Sequence, residues 1–502
     1  MRVLLFAGGA LILATYTLIR YGDSVLGFFF LDDFWLLRDA VEPTWSLTGL
    51  AQLVEFNHMG FRLYRPLTQS VYFFALRSVF GVDASGYHLV QLAGFTVNAI
   101  LAMLIATRVS GSIALGLCAA ILYAAAPGHG AAVVWVAAFT MIGTTTAVFL
   151  LLLCWQSTAW PVRAVVATVL QVVALLCSEH AVVGPLMLVI VSALAPHPER
   201  WKAILRDVAG PALVVALYLA AKFTYFTLVE WPGPSYTMNL APGAWLTNLG
   251  RFAIATSNLL TLATLSHSAA ALLGASICLG AGLATAFALR GIARLRLLAL
   301  GTNLFVVGLL PVLPLTNHYY DYFIGIAALG SAIAVVGVAQ LLLSQRYAAI
   351  ASAMVVAGVI SVDAWTGDQA TRGNPVFSLV TSSFQGNEAL LMNLERVRAT
   401  HGAEVEVFVP HDARSATVIG IGDVGRVFFA PPLRIQLVPP ATPKNGPMQV
   451  FLVHAGVPPN PRGLPFWWSP EFDWIRLWLP LPRTWLEDAL HPAQESVRAS
   501  PQ

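Results

Sequence analysis

Apolar residues run in long blocks along this chain, and the polar residues fall into short gaps between them. Eleven blocks are long enough to be read as membrane-crossing helices: about 3–20, 88–107, 112–126, 137–155, 163–178, 181–195, 208–229, 268–289, 297–315, 322–344 and 347–363. A bilayer core needs roughly 20 consecutive apolar residues in helical form, so the pattern predicts a polytopic helical bundle. The block at 3–20 has no small-residue cleavage site after it and is read as an uncleaved first helix.

Two gaps are long. The first, 21–87, repeats apolar residues at helical spacing: Leu47, Leu50, Leu53 and Val54 on one face, then Leu67, Val71, Phe74, Ala75 and Ser78 after Pro66. Both stretches read as interfacial helices on the membrane surface, with core helices of a small outer domain as the plainer alternative. Residues 244–266 read as a further interfacial element. The second gap is the tail, 364–502, where charge returns and alternating patterns appear in "EVEVFV" (404–409), "GRVFFA" (425–430), "RIQLV" (434–438) and "MQVFLV" (448–453), with a helical pattern over about 386–399. The expected organisation is a transmembrane domain, 1–363, followed by a small α/β domain, 364–502. The aromatic run "FWWSPEFDWIRLWLP" (466–480) suits sugar stacking, interface anchoring or core packing.

Composition supports this division. The chain is 57% hydrophobic and only 11% charged, where soluble domains carry about 25% charged residues. A net charge of +3 is too small to argue for nucleic acid. The positive residues instead orient the chain. With a cytoplasmic N-terminus, Arg2, Arg108, Arg163, Arg200, Lys202, Arg206, Arg290, Arg294, Arg296 and Arg346 all fall on the cytoplasmic side. That puts the first long gap and the tail outside. Cys118, Cys154, Cys177 and Cys278 lie within apolar runs and read as small hydrophobes, with no disulfide or zinc spacing.

The candidate chemistry begins where the first block ends. "FFFLDDFWLLRDA" (28–40) places Asp32 and Asp33 side by side at the membrane edge. Neighbouring carboxylates at low dielectric raise each other's pKa, and either could take a proton from an attacking alcohol. Taken alone, the pair reads more simply as solvated charges that stop the first helix from sliding into lipid. Downstream, "GFRLYRPLTQS" (60–70) sets Arg65 at a helix start, where a guanidinium and a helix N-terminus can hold phosphate; snorkelling to lipid headgroups is the alternative. Further polar residues border the helices on the same side: Tyr87, His88, His129, Glu179, His180, Asn317, His318, Tyr319, Tyr320, Asp321 and Tyr322. Ionisable groups in such positions mark functional sites by default. A metal site built from His88, His129, His180 and His318 has no supporting ligand spacing, and no cofactor is expected.

Read in order, "LDDFWLL" (31–37), "YRPL" (64–67), "GYHLVQLAGFTVNAIL" (86–101), "PGHGAAVVW" (127–135), "SEHAVVGPL" (178–186) and "NHYYDYFIGIAALG" (317–330) resemble the GT-C superfamily of membrane glycosyltransferases, most of all its protein O-mannosyltransferase-like branch and bacterial relatives. The likeness covers roughly residues 1–345. It implies an integral-membrane enzyme, multi-pass in a bacterial inner membrane, with its site and tail outside the cytoplasm. The implied donor is a polyprenyl-phosphate sugar, and the acceptor is a hydroxyl of a glycan, lipid or protein. The transfer would be inverting, with Asp32 or Asp33 as base and Asp32 favoured. Arg65, Tyr64 and His88 would meet the donor phosphate; His129, Glu179, His180, Asn317, His318, Tyr319 and Tyr320 would line the pocket. Two departures stand out: Asp33 where many relatives carry Glu, and Ser178 where many carry Lys. The rival classes are a polymerase or ligase using a lipid diphosphate, a lipid or glycan flippase, and a non-catalytic subunit. A flippase would place ionisable residues near mid-membrane rather than at one face.

Overall fold

In the computed structural model, the described residues are 2–40, 44–54, 64–157, 161–194, 201–228, 238–257, 266–315 and 320–366, with shorter pieces between 380 and 451. The chain is a helical bundle. Its helices are α1 (Arg2–Tyr21), α2 (Asp32–Asp39), α3 (Leu47–Gln52), α4 (Tyr72–Phe80), α5 (Ala84–Ser110), α6 (Ile113–Ala125), α7 (His129–Val134), α8 (Phe139–Ser157), α9 (Val162–Cys177), α10 (Gly184–Leu194), α11 (Trp201–Leu228), α12 (Pro242–Ala255), α13 (His267–Leu289), α14 (Arg296–Leu309), α15 (Ala327–Leu342) and α16 (Gln345–Thr366).

Each of the eleven apolar blocks is occupied by a helix: α1, α5, α6, α8, α9, α10, α11, α13, α14, α15 and α16. Among the described residues, six stretches are long and apolar enough to cross a membrane: Val3–Leu26, Ala84–Ser110, Val136–Gln156, Trp201–Tyr225, His267–Leu289 and Gln345–Val362. Shorter apolar helices pack among them. With little hydrophobic drive between helices in lipid, close backbone approach carries much of the association. In the α14–α15 contact, a Cβ at Gly301 would meet the Ala334 backbone, and one at Gly330 would meet the Phe305 backbone. Leu11, Ile19, Leu272 and Leu279 stay exposed on the outer helices, as lipid-facing residues do.

The first long gap behaves in two ways. In α3 and the turn that follows it, Leu47, Leu50 and Val54 are exposed while Leu53 is buried. After Pro66 the chain makes a π-helical turn, Leu67–Val71, before α4. That wider turn rotates the expected stripe: the buried residues are Thr68, Gln69, Tyr72, Phe73 and Phe74. Tyr72 stacks on Phe139 of α8 with ring centroids 3.8 Å apart, so this helix is wedged against the bundle.

The tail keeps three of its four expected strands: β1 (Glu406–Pro410), β2 (Arg434–Val438) and β3 (Gln449–Phe451). They form a parallel sheet in the order β2–β1–β3. The "GRVFFA" stretch is corrected: Val427 and Phe428 are helical, and they turn inward to the bundle, where Phe428 stacks on Phe28 at 5.9 Å. The described residues between 380 and 399 are helical. The aromatic run at 466–480 lies outside the described residues.

Candidate active site

The site is built where the chain leaves α1. A 3₁₀ turn, Gly22–Leu26, is followed by an extended stretch, Gly27–Phe30. Leu31 then adopts φ 45° and ψ −102°, the one non-glycine residue with positive φ among those described. An L-residue there is strained by about 1–3 kcal/mol and persists only where its surroundings hold it. Asp32 is the next residue and starts α2.

The adjacent aspartates have different surroundings. Asp33 is completely buried. Its Oδ2 accepts the Phe30 backbone N–H at 2.8 Å, and its Oδ1 accepts the Ala137 N–H at 2.6 Å. It therefore ties the strained turn to the segment between α7 and α8. Gln91 of α5 braces that segment by donating to the carbonyls of Ala132 and Trp135, at 2.5 and 2.8 Å. Asp32 keeps part of its surface open and accepts a hydrogen bond from the Trp35 side chain one turn on. Burial raises both carboxyls above the usual carboxylate range. For Asp32 this is opposed by the Trp35 hydrogen bond and the charge of Arg65. For Asp33 the rise is larger, opposed by the two backbone donors and reinforced by Asp32.

Arg65 makes a fork-to-fork pair with Glu179: Nε to Oε2 at 2.9 Å and Nη2 to Oε1 at 2.5 Å. Local sequence sets this pair. Thr68 Oγ1 donates to the Cys177 carbonyl at 2.6 Å, joining the π-helical turn to the end of α9. Ser178 caps the following 3₁₀ turn, Glu179–Val183, through the His180 N–H. Ser178 thus holds the backbone of the turn, and its Oγ–H also donates to Glu179 Oε2 at 3.3 Å.

Lys222 of α11 joins the same group, close enough for its charge to act on both Glu179 and His180. Its Nζ donates to Tyr218 Oη at 3.3 Å. Sequence reading passed over Lys222, although a lone lysine inside an apolar span is a default functional signal. Trp35 was also missed; its spacing, three residues after Asp32 on one helix, was the available clue.

The remaining candidates divide. His180 belongs to the cluster: its Nδ1 lies 3.1 Å from Met141 Sδ and its ring meets Phe323 edge-on. Tyr320 reaches the same place by stacking on Tyr322 and packing against Phe323. Tyr64 donates its hydroxyl to the Val54 carbonyl at 2.6 Å, which fixes the backbone next to Arg65. His88 and His129 are placed elsewhere. His88 Nε2 donates to the Phe28 carbonyl at 3.2 Å, and its ring faces Phe384. His129 is buried between Tyr123 and Phe95. Neither has a contact with Arg65 among those described, so of the candidate histidines in the described residues His180 is the one placed beside the Arg65–Glu179 pair. Asn317, His318 and Tyr319 lie outside the described residues. Among the described residues, no three His, Cys, Asp or Glu side chains are grouped to hold a metal.

The arrangement therefore offers one partly open acid, Asp32, beside a group carrying two cations and one carboxylate. Arg65, Lys222 and Glu179 together carry a net positive charge, a combination that can hold an anion.

No protein-family model and no curated protein matches the chain. Among solved structures, the chain is similar to the crystal structure of ArnT from Cupriavidus metallidurans bound to undecaprenyl phosphate. The identity is 13%, the match covers 86% of this chain and 85% of that one, and the TM-score is 0.42.

Proposed function

We propose that this chain is a GT-C type membrane glycosyltransferase, of the kind its ordered motifs resemble. It moves a sugar from a polyprenyl-phosphate donor to an acceptor hydroxyl. The observation that carries this reading is the placing of Asp32, on a strained turn, within electrostatic reach of the Arg65–Glu179–Lys222 group.

In the proposed reaction the acceptor O–H gives its proton to Asp32. The oxygen attacks the anomeric carbon from the face opposite the phosphate, so the configuration inverts. The anomeric C–O bond breaks and its electron pair leaves with the polyprenyl phosphate. A phosphodiester with one negative charge becomes a phosphomonoester with up to two. Arg65 and Lys222 stabilise the charge that develops, and Glu179 holds the Arg65 fork in place. Asp33 does not touch substrate in this scheme. Its two oxygens are engaged by backbone N–H groups, which makes it the residue that orients Asp32.

The charge pattern of the loops supports a cytoplasmic N-terminus and a site on the outer face of a bacterial inner membrane, where lipid-linked sugars and acceptors meet. Mass spectrometry of lipids from cells lacking the protein tests the proposal. A polyprenyl-phosphate sugar should accumulate and one glycan modification should disappear. An unchanged lipid and glycan profile would remove the enzyme reading.

A further inference from the structure

The tail touches the bundle at the segment that sets Asp32. Val380, Phe384, Asn387, Leu391 and Leu394 are spaced as one face of a helix, and Val380, Asn387 and Leu394 are buried. Phe384 packs on His88. Asn387 Nδ2 donates to the Phe29 carbonyl at 2.6 Å. Its Oδ1 is buried and has no partner among the described residues. An amide with half its capacity unused costs more to bury than a leucine of similar size, so its value here lies in the N–H.

That bond completes a series of holds on consecutive residues. The Phe28 carbonyl is held by His88, the Phe29 carbonyl by Asn387, and the Phe30 N–H by Asp33. Leu31, with its positive φ, comes next, and then Asp32. A strained residue stays strained only when both flanks are fixed. On the side preceding Leu31, one of the fixing groups comes from residue 387, 358 residues away from Phe29 in sequence.

We propose that Asn387 is a positioning residue. The tail clamps the Gly27–Phe30 stretch and so holds the strained turn that aims the Asp32 carboxylate; this rests on the reading of Asp32 as base. The tail is then part of the transfer machinery and not a separate module.

The test uses the full-length protein in lipid nanodiscs and the variants Asn387→Leu and Asn387→Met, both of which remove the donor. Hydrogen–deuterium exchange is read at the amides of 29–34, with α5 as the folding control. Each variant should exchange there about tenfold faster, the scale of one lost buried hydrogen bond, while α5 is unchanged. Turnover of a polyprenyl-phosphate sugar should fall about tenfold with KM for the donor unchanged, because the phosphate group is built elsewhere. Should both variants fail to fold, Gly27→Ala acts from the opposite side. Its Cβ would lie 2.6 Å from Phe384 Cε2 and 2.9 Å from His88 Nε2, and the same faster exchange is expected. Unchanged exchange at 29–34 in a folded variant overturns the clamp, as does faster exchange with unchanged turnover. Full activity in Asp32→Asn would sink the base assignment alone, since the exchange result needs no substrate.

Discussion

Helices α9 and α11 run side by side between two charged clusters, and the two clusters are built differently. At the start of α9, Arg163 pairs with Asp207 of α11, and Arg206 donates to the other oxygen of Asp207 at 2.6 Å. Arg163 also lies over the Trp155 ring at 4.7 Å, and Trp155 Nε1 donates to Ser192 Oγ at 2.6 Å. One α9 length away, about 24 Å for its sixteen residues, Glu179 is gripped by Arg65 beside Lys222. Both ends set a carboxylate against cations: Asp207 is fully buried between two guanidinium groups, and Glu179 is partly buried against Arg65 within reach of the Lys222 charge. Among the described residues, only the second faces another acid, Asp32, which is held on strained backbone and bonded to an indole rather than a guanidinium. An ion pair in a membrane bundle is therefore no sign of chemistry by itself. The sign is an ion pair with an independently positioned acid beside it.

The comparison breaks most sharply at Asp32. Asp32→Asn should cost about 10³-fold in turnover, within the range for loss of a general base. Thermal stability should hold or rise, because burial disfavours the charge that the variant removes. Stability falling as far as activity would show Asp32 to be a structural residue. Next in size, Glu179→Gln should lower turnover about 10²-fold by freeing the Arg65 fork from its geometry. Binding of a polyprenyl phosphate, measured by calorimetry, should not weaken, since a negative charge has been removed beside the proposed phosphate site. Lys222→Met should do the opposite, weakening that binding about tenfold through the loss of one close cation.

The pH profile gives a finer test. Burial raises the Asp32 carboxyl, so activity should fall as pH drops through a midpoint above the usual value of about 3.9. The linked stability runs the other way. A carboxyl whose pKa is raised by folding favours the native state below its unfolded pKa, and that advantage is lost as pH rises through the folded value. Working pH should therefore be active and slightly destabilising at this end of the bundle. At the other end, Asp207→Asn should leave turnover per folded molecule unchanged while lowering stability by about 3 kcal/mol, since the largely buried Arg163 loses its anion while the half-exposed Arg206 turns to water. A fall in turnover without a fall in melting temperature would erase the distinction between the ends.

Much of this was legible in the sequence, for reasons that differ by residue. Helix positions followed from block hydropathy, because a bilayer leaves the backbone few alternatives. Asp32, Arg65 and Glu179 were visible because charge at a span border is rare. The division of labour between Asp32 and Asp33 was not, since it depends on backbone N–H groups from Phe30 and Ala137. His88 and His129 were expected at the donor phosphate and in the pocket; the fold uses His88 as a donor to the Phe28 carbonyl and packs His129 among aromatic rings, roles an imidazole fills equally well. The second interfacial stripe was misplaced because a π-helical turn adds a residue to the register before α4. Lys222 sat in plain view inside an apolar span. The contact of Asn387 with Phe29 could not be read at all, because nothing local in either segment refers to the other.

The most direct test takes the polyprenyl-phosphate sugar that accumulates in cells lacking the protein and incubates it with purified full-length enzyme and membrane acceptors. The account predicts release of polyprenyl phosphate by the wild type and about a thousandfold less by Asp32→Asn. Equal release by the two proteins would contradict it.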